Sequence, residues 1–259
     1  MTLGSLYLAF SRVNERLRRG TGIGKTASCP SRRCPRRYQI SPGPGDYVSV
    51  GSVPYTLSPA TAEDLGEVRR LFRETARWLR RTKHTDQWSR PWPNRAQHRE
   101  RMRNDLLGGK TWLVWDDATV AGTITLDIEE PRAAGGKPVW PAHKRHELAV
   151  YVRRVIVRRR YADLGIGAAL LDWAAEAAKR NHGATLIRLD AWTTNPRLHA
   201  YYEQQRFTRC PGHDPTELAN YPAQALFERE IEQAGQAHTR LFVEVASGRR
   251  HGPRWRVSR

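Results

Sequence analysis

From Tyr55 onward, apolar and polar positions along the chain follow two rhythms, one close to two residues and one close to 3.6, as strands and amphipathic helices require. Tyr55-Thr-Leu57 reads as a short strand. Thr61-Ala-Glu-Asp64 is a capping-box-like start to a helix that runs to about Arg81 and gathers Leu65, Val68, Leu71, Phe72 and Thr75 on one face. The prolines of Asp86–Pro93 forbid helix, and that loop holds two large aromatics, Trp88 and Trp92. Asn94 to Leu107 predicts a second helix closed by Gly108-Gly109, and Thr111–Trp115 with Thr119–Ile128 predicts a hairpin turning at Asp116-Asp117. After a Gly/Pro/Lys-rich loop from Glu130 to His146, Glu147–Val157 is a strand and Gly165 to about Arg180 a helix. Thr185–Trp192 is a strand, Asn195-Pro196 opens a helix to about Gln205, and Arg206–Arg209 and Ala223–Glu228 are the last strands.

Residues 1–52 show neither rhythm and mix Arg runs with Gly and Pro, so they read as a disordered basic extension. The expected organisation is that extension, a domain over 53–231, and a basic tail over 232–259. Charge follows the same division, because the formal +18 splits into +7 for residues 1–52, +7 for the domain and +4 for the tail. Most of the excess therefore lies in the ends, and lysine occurs at only six positions, which points to arginine-biased coding more than to a selected patch. Both facts argue against a nucleic-acid partner.

Three cysteines, Cys29, Cys34 and Cys210, form neither a disulfide framework nor a zinc-ligand pattern, so no metal is expected. The apolar stretch Leu3–Phe10 is too short to cross a membrane and lacks the flanks of a secretory signal. The expectation is a cytoplasmic protein without a membrane partner. Gly20–Thr26 imitates a phosphate-binding loop, but Arg19 stands where its first glycine should be and no apolar strand precedes it.

The strongest chemical signal lies between Val155 and Leu171, where a strand passes through a short loop into a helix opened by Gly165 and Gly167. Glycine leaves no Cβ in the way of an anion, so backbone N–H groups and the positive helix end can meet a phosphate. The spacing excludes a dinucleotide fingerprint, since Ala162 stands where a glycine is needed.

Arg154-Val-Ile-Val157, Tyr161-Ala-Asp-Leu-Gly-Ile-Gly167, Leu189-Asp-Ala-Trp-Thr-Thr-Asn195 and Leu198–Phe207 resemble, in that order, the acetyl-CoA motif of the GNAT acetyltransferase superfamily. The resemblance covers about 53–231. It implies an α/β (α+β) fold with a central, mixed, mostly antiparallel sheet of about six to seven strands flanked by about four helices. It also implies acetyl-CoA as acetyl donor, held by backbone groups of Val155, Ile156 and Val157 along the pantetheine arm. The amides from Asp163 through Leu164, Gly165, Ile166 and Gly167 to Ala168 would hold the pyrophosphate, with Asn195 against the pantetheine. Ala162 departs from the Arg or Gln usual there, which leaves Arg158, Arg159 or Arg160 to supply charge.

By the same resemblance, Tyr202 donates a proton to the departing thiolate; Tyr201 is the competing choice, and by register it should face the core. An ammonium has no lone pair, so a carboxylate must deprotonate the amine first. Asp190, Glu129, Glu130 and Glu147 are candidates, with Asp190 and Glu129 the best placed in the order of strands. The implied reaction is direct attack in a ternary complex on a small-molecule or protein amine, with the carbonyl polarised by the N–H of Val155 or Ile156. A homodimer is compatible with the resemblance. Trp78, Trp88, Trp92, Trp112, Trp115 and Trp140 fall where such proteins build the acceptor pocket; core and interface filling accounts for most of them, and Trp88 and Trp92, in a loop between helices, are the ones that equally fit an aromatic or cationic acceptor. Ala162 also admits a different reading, a module that binds acyl-CoA without catalysis.

Overall fold

A computed structural model of the chain describes residues 55–83, 88, 94–131, 138–210 and 224–246. The expectations for residues 1–52, Trp92 and 247–259 lie outside the described residues. Strand β1 (Tyr55–Pro59) leads to helix α1 (Leu65–Trp78). Thr61 caps the 3₁₀ turn (Ala62–Asp64) that leads into α1 through a capping box, its N–H donating to the Asp64 carboxylate at 2.8 Å. Val68, Leu71, Phe72 and Thr75 are buried as their spacing predicts, and a wider π-helical turn, Leu79–Lys83, ends the helix.

Asn94 caps helix α2 (Arg95–Leu107) by accepting the Gln97 N–H at 2.9 Å. Strands β2 (Thr111–Asp116) and β3 (Thr119–Asp127) form the expected hairpin around Asp117 at φ +49°. Strand β4 (Ala149–Val157), helix α3 (Ile166–His182) and strand β5 (Leu186–Trp192) follow, then helix α4 (Pro196–Gln204) and strands β6 (Thr208–Arg209) and β7 (Gln224–Glu230).

The sheet has eight strands in the order β6-β7-β5-β4-β3-β2-β1-β8, against the six to seven expected. The added strand is β8 (Phe242–Glu244), preceded by the short helix α5 (Ala237–Leu241). It pairs in parallel with β1, so Phe242–Glu244, within the stretch expected to be a tail, extend the sheet instead. Phe242 is buried, and Glu244 accepts the indole N–H of Trp173 on α3 at 2.9 Å while pairing with Arg180 at 2.9 Å.

All of β4 from Val150 to Val157 is buried, which means both faces of the sheet are covered at its centre. Helices α1 and α3 both pack on β3 and β4. A second, smaller core of Val139, Trp140, Tyr151 and Leu226 lies apart from the main one.

Candidate active site

Strands β4 and β5 run in parallel and pair only from Ala149 opposite Leu186 to Tyr151 opposite Arg188. Beyond that point β4 continues to Val157 along β3, and β5 continues to Trp192 along β7. The two inner edges therefore part as a wedge in the middle of the sheet.

A bulge in β4 accompanies the parting. Between the pairs Thr123–Ile156 and Thr125–Arg153, β4 spends one residue more than β3, and Arg154 sits at φ +51°. Such a bulge bends and twists its strand and re-aims its side chains. Here Arg153 and Arg154, which would alternate in a regular strand, both donate to Asp105 of α2. Arg153 also pairs with Asp127. Burial acts to raise the Asp105 carboxyl, yet Arg154 and Arg153 outweigh it and hold the group below its usual value. On the other side β3 approaches closely, since a Cβ added to Gly122 would lie 2.7 Å from the Ile156 carbonyl oxygen.

The vertex of the wedge is held by charge. Arg188, fully buried, donates to Glu147, to Glu228 at 3.2 Å and to the Lys144 carbonyl at 2.7 Å, with its guanidinium 4.4 Å from the centre of the Trp140 ring.

At the open end, β4 passes through a 3₁₀ turn (Arg159–Tyr161) and turns at Asp163 (φ +66°) and Gly165 (φ +76°) into α3. Gly165 holds a left-handed backbone that side chains resist, and no side-chain oxygen caps the helix after it. The first turn of α3 carries no acid, and its first internal bond is Ala169 N–H to the Gly165 carbonyl at 3.0 Å. The amides of Ile166, Gly167 and Ala168 thus face out of the positive end of a 17-residue helix, a fitting partner for a pyrophosphate. Asp163, Leu164 and Gly165 are exposed, and the side chains of Val155, Ile156 and Val157 are buried.

The three arginines expected to stand in for Ala162 have other engagements. Arg158 pairs with Glu74 at 3.2 Å and Glu67 at 3.9 Å, Arg159 stacks 4.3 Å from the Trp78 ring, and Arg160 donates to the Tyr161 hydroxyl at 2.8 Å. Tyr161 in turn donates to Asp116 at 2.6 Å.

Asn195 N-caps α4, accepting the Leu198 N–H at 3.3 Å, with Pro196 at the first helical position. Tyr202 is fully buried, its ring packed on Tyr201, Phe207 and Phe227. Tyr201, expected to be the inward one, is the less buried of the pair, and burial followed by the nearby Asp172 raises its phenol well above the ordinary value.

Of the four acids, Asp190 is buried on β5 two residues beyond the wedge vertex, on the same face as Arg188. Glu129 is exposed past the end of β3, its N–H bonded to Asp127 at 3.1 Å. Glu147 is tied to Arg188, and Glu130 accepts the Trp140 N–H at 2.6 Å and pairs with Arg145. The five described tryptophans of that set have different partners: Trp112 packs on Trp173, Trp115 donates to Ser58, Trp140 underlies Arg188, Trp78 underlies Arg159, and Trp88 stacks on Phe72. The Asp105–Arg153–Arg154 cluster and the Arg188 cluster escaped sequence reasoning, because their partners lie some 40 residues apart or more.

Comparison with known proteins agrees with this geometry. The family model for the GNAT acetyltransferases matches residues 72–207. The chain is 29% identical over 173 residues to the uncharacterized N-acetyltransferase YesJ of Bacillus subtilis, covering 67% of this chain and 88% of that protein. A GNAT-family acetyltransferase structure from Listeria monocytogenes superposes with a TM-score of 0.53 at 21% identity, over 71% of this chain and 98% of that one. With more than half of its length matched by the family model, and with a wedge and helix end suited to the donor, the chain belongs to the GNAT acetyltransferase family and is an acetyl-CoA-dependent acyltransferase.

Proposed function

We propose that the chain is an N-acetyltransferase acting on a primary amine of a small molecule or protein by direct attack in a ternary complex. The observation that carries this reading is the wedge between β4 and β5, which ends at the uncapped start of α3. Acetyl-CoA supplies the activated acetyl thioester. The backbone of Val155–Val157 extends as a strand edge to the pantetheine arm, and the amides from Asp163 to Ala168 meet the pyrophosphate. Asn195 orients the pantetheine from its cap position. The N–H of Val155 or Ile156 polarises the thioester carbonyl, and holding both reactants in the wedge contributes most of the acceleration.

Asp190 takes the proton of the ammonium, directly or through water, a role supported by its burial on the wall of the wedge. Glu129 is the second choice, being exposed at a strand end. Tyr202 donates the proton that the departing thiolate needs. Cys210 is a poor acyl carrier, since burial first and Glu228 second push its thiol up to about 11, which favours direct transfer over an acetyl-enzyme. A cytoplasmic setting belongs to the same reading, on the strength of cysteines that make no framework.

The test is free-thiol release from acetyl-CoA by the full chain across polyamines, amino acids, aminoglycosides and peptide N-termini. At least one class should turn over, and Tyr202→Phe should lower kcat by about 10–100-fold with the KM for acetyl-CoA little changed. Binding of acetyl-CoA without release for any amine would favour the non-catalytic module.

A further inference from the structure

Helices α1 and α2 enclose a groove of about 350 Å³ on the molecule's surface, and none of the residues assigned to acetyl-CoA lines it. Six arginines do: Arg69, Arg73, Arg77 and Arg80 along α1 and its π-helical turn, and Arg95 and Arg99 on α2. Spacings of three and four residues stack each set on one side of its helix, where like charges repel. Among the described residues none of the six forms an ion pair.

The buried arginines of the domain, by contrast, are paired. Arg153, Arg154, Arg158, Arg188 and Arg229 all pair with carboxylates. The acids of α1 sit on its other side, where Glu67 and Glu74 bind Arg70 and Arg158. Biased coding would scatter arginines among acids, and it does not sort them onto one wall of a groove.

The floor is aromatic and apolar. Phe72 stacks on Trp88 with ring centres 4.5 Å apart and an angle of 20°, and His98 lies 4.7 Å from Phe72. Met102 and Ala76, both buried, complete it. His98 stays a neutral imidazole, pulled down to about 4 by burial first and then by Arg154, Arg101 and Arg69.

We infer that this groove is a binding site for a small planar anion, an aromatic ring bearing a carboxylate or phosphate. Guanidinium forks match either anion two bonds at a time, and the Phe72–Trp88 stack offers a face for the ring. Its volume, about 350 Å³, falls in the range of pockets for small ligands. Of the two ligands the tryptophans suggested, aromatic or cationic, the charge keeps the aromatic one and disfavours the cation.

The test is calorimetric titration of the full chain with phenyl phosphate and benzoate, against benzyl alcohol and inorganic phosphate as controls. Saturable binding is expected for the first two, about tenfold weaker for the controls, and about tenfold weaker again in Arg73→Gln/Arg77→Gln. Both substituted residues are exposed, and the variant should bind acetyl-CoA as the parent does. Coenzyme A should not displace phenyl phosphate. Displacement by coenzyme A with no effect of the double substitution would put the anion in the α3 cradle and overturn the inference. So would the absence of saturation, or binding of a duplex oligonucleotide in place of the small anions.

Discussion

Arg154, held at φ +51° in the bulge of β4, forms a buried ion pair with Asp105 of α2. The pair joins a local backbone irregularity of β4 to helix α2, so the shape of β4 depends on a residue 49 positions away in sequence. Asp105→Ala leaves the Arg154 guanidinium buried without its carboxylate, and it should destabilise the fold by about 3–5 kcal/mol. Because Val155 and Ile156 follow directly on the bulge at Arg154, acetyl-CoA affinity should fall as well. Chemical denaturation and titration with acetyl-CoA on the same preparation read both effects.

Gly122 makes a related prediction through sterics. Its missing Cβ is what lets β3 come close to the Ile156 carbonyl. Gly122→Ala should cost about 1–3 kcal/mol and weaken acetyl-CoA binding, with far-UV circular dichroism unchanged. Unaltered affinity and stability would mean that the close approach has no consequence for the cofactor strand.

Acid should weaken the domain in two stages. His98 has its folded value lowered from 6.5 to about 4, so the unfolded chain binds the extra proton between those values. Its contribution is fully present above pH 6.5 and is lost as pH falls towards 4. Asp105, also depressed, contributes above its unfolded value of 3.8 and loses that contribution as pH falls further. Thermal melts should show Tm falling from pH 6.5 to 4, with a shallower fall in His98→Gln.

The C-terminal strand can be tested at Glu244, which accepts from Trp173 and pairs with Arg180. Glu244→Ala should cost about 1 kcal/mol, discounted for a side chain that is partly exposed, whereas Glu244→Gln should restore much of the loss by keeping the indole acceptor. Equal losses in both variants would leave charge alone as the contribution.

Much of this fold was legible because its signals are local. The capping box at Thr61, the Asn94 and Asn195 caps and the apolar faces of α1 and α3 are each set by neighbours within a few residues. The turn at Gly165 that opens α3 was legible for the same reason. Strand β8 was not: three residues, Phe242–Glu244, are too few to show a period, and they lie in an arginine-rich stretch that reads as tail. The β4 bulge was hidden because arginine carries no signal for positive φ. The arginine wall of the α1–α2 groove was masked by the arginine bias of the whole chain. Tyr201 and Tyr202 sit side by side, so the motif spacing chose between them while their burial depended on Phe207 and Phe227, the latter from another strand.

The central claim, that the wedge and the start of α3 hold acetyl-CoA, is tested most directly by titrating the full chain and its Gly165→Leu variant with acetyl-CoA. Leucine at φ +76° would strain the turn and crowd the amides that face the pyrophosphate. Saturable binding by the parent and an affinity about tenfold lower or worse in the variant is the predicted result. No binding by the parent, or equal affinity in the two proteins, would contradict the account.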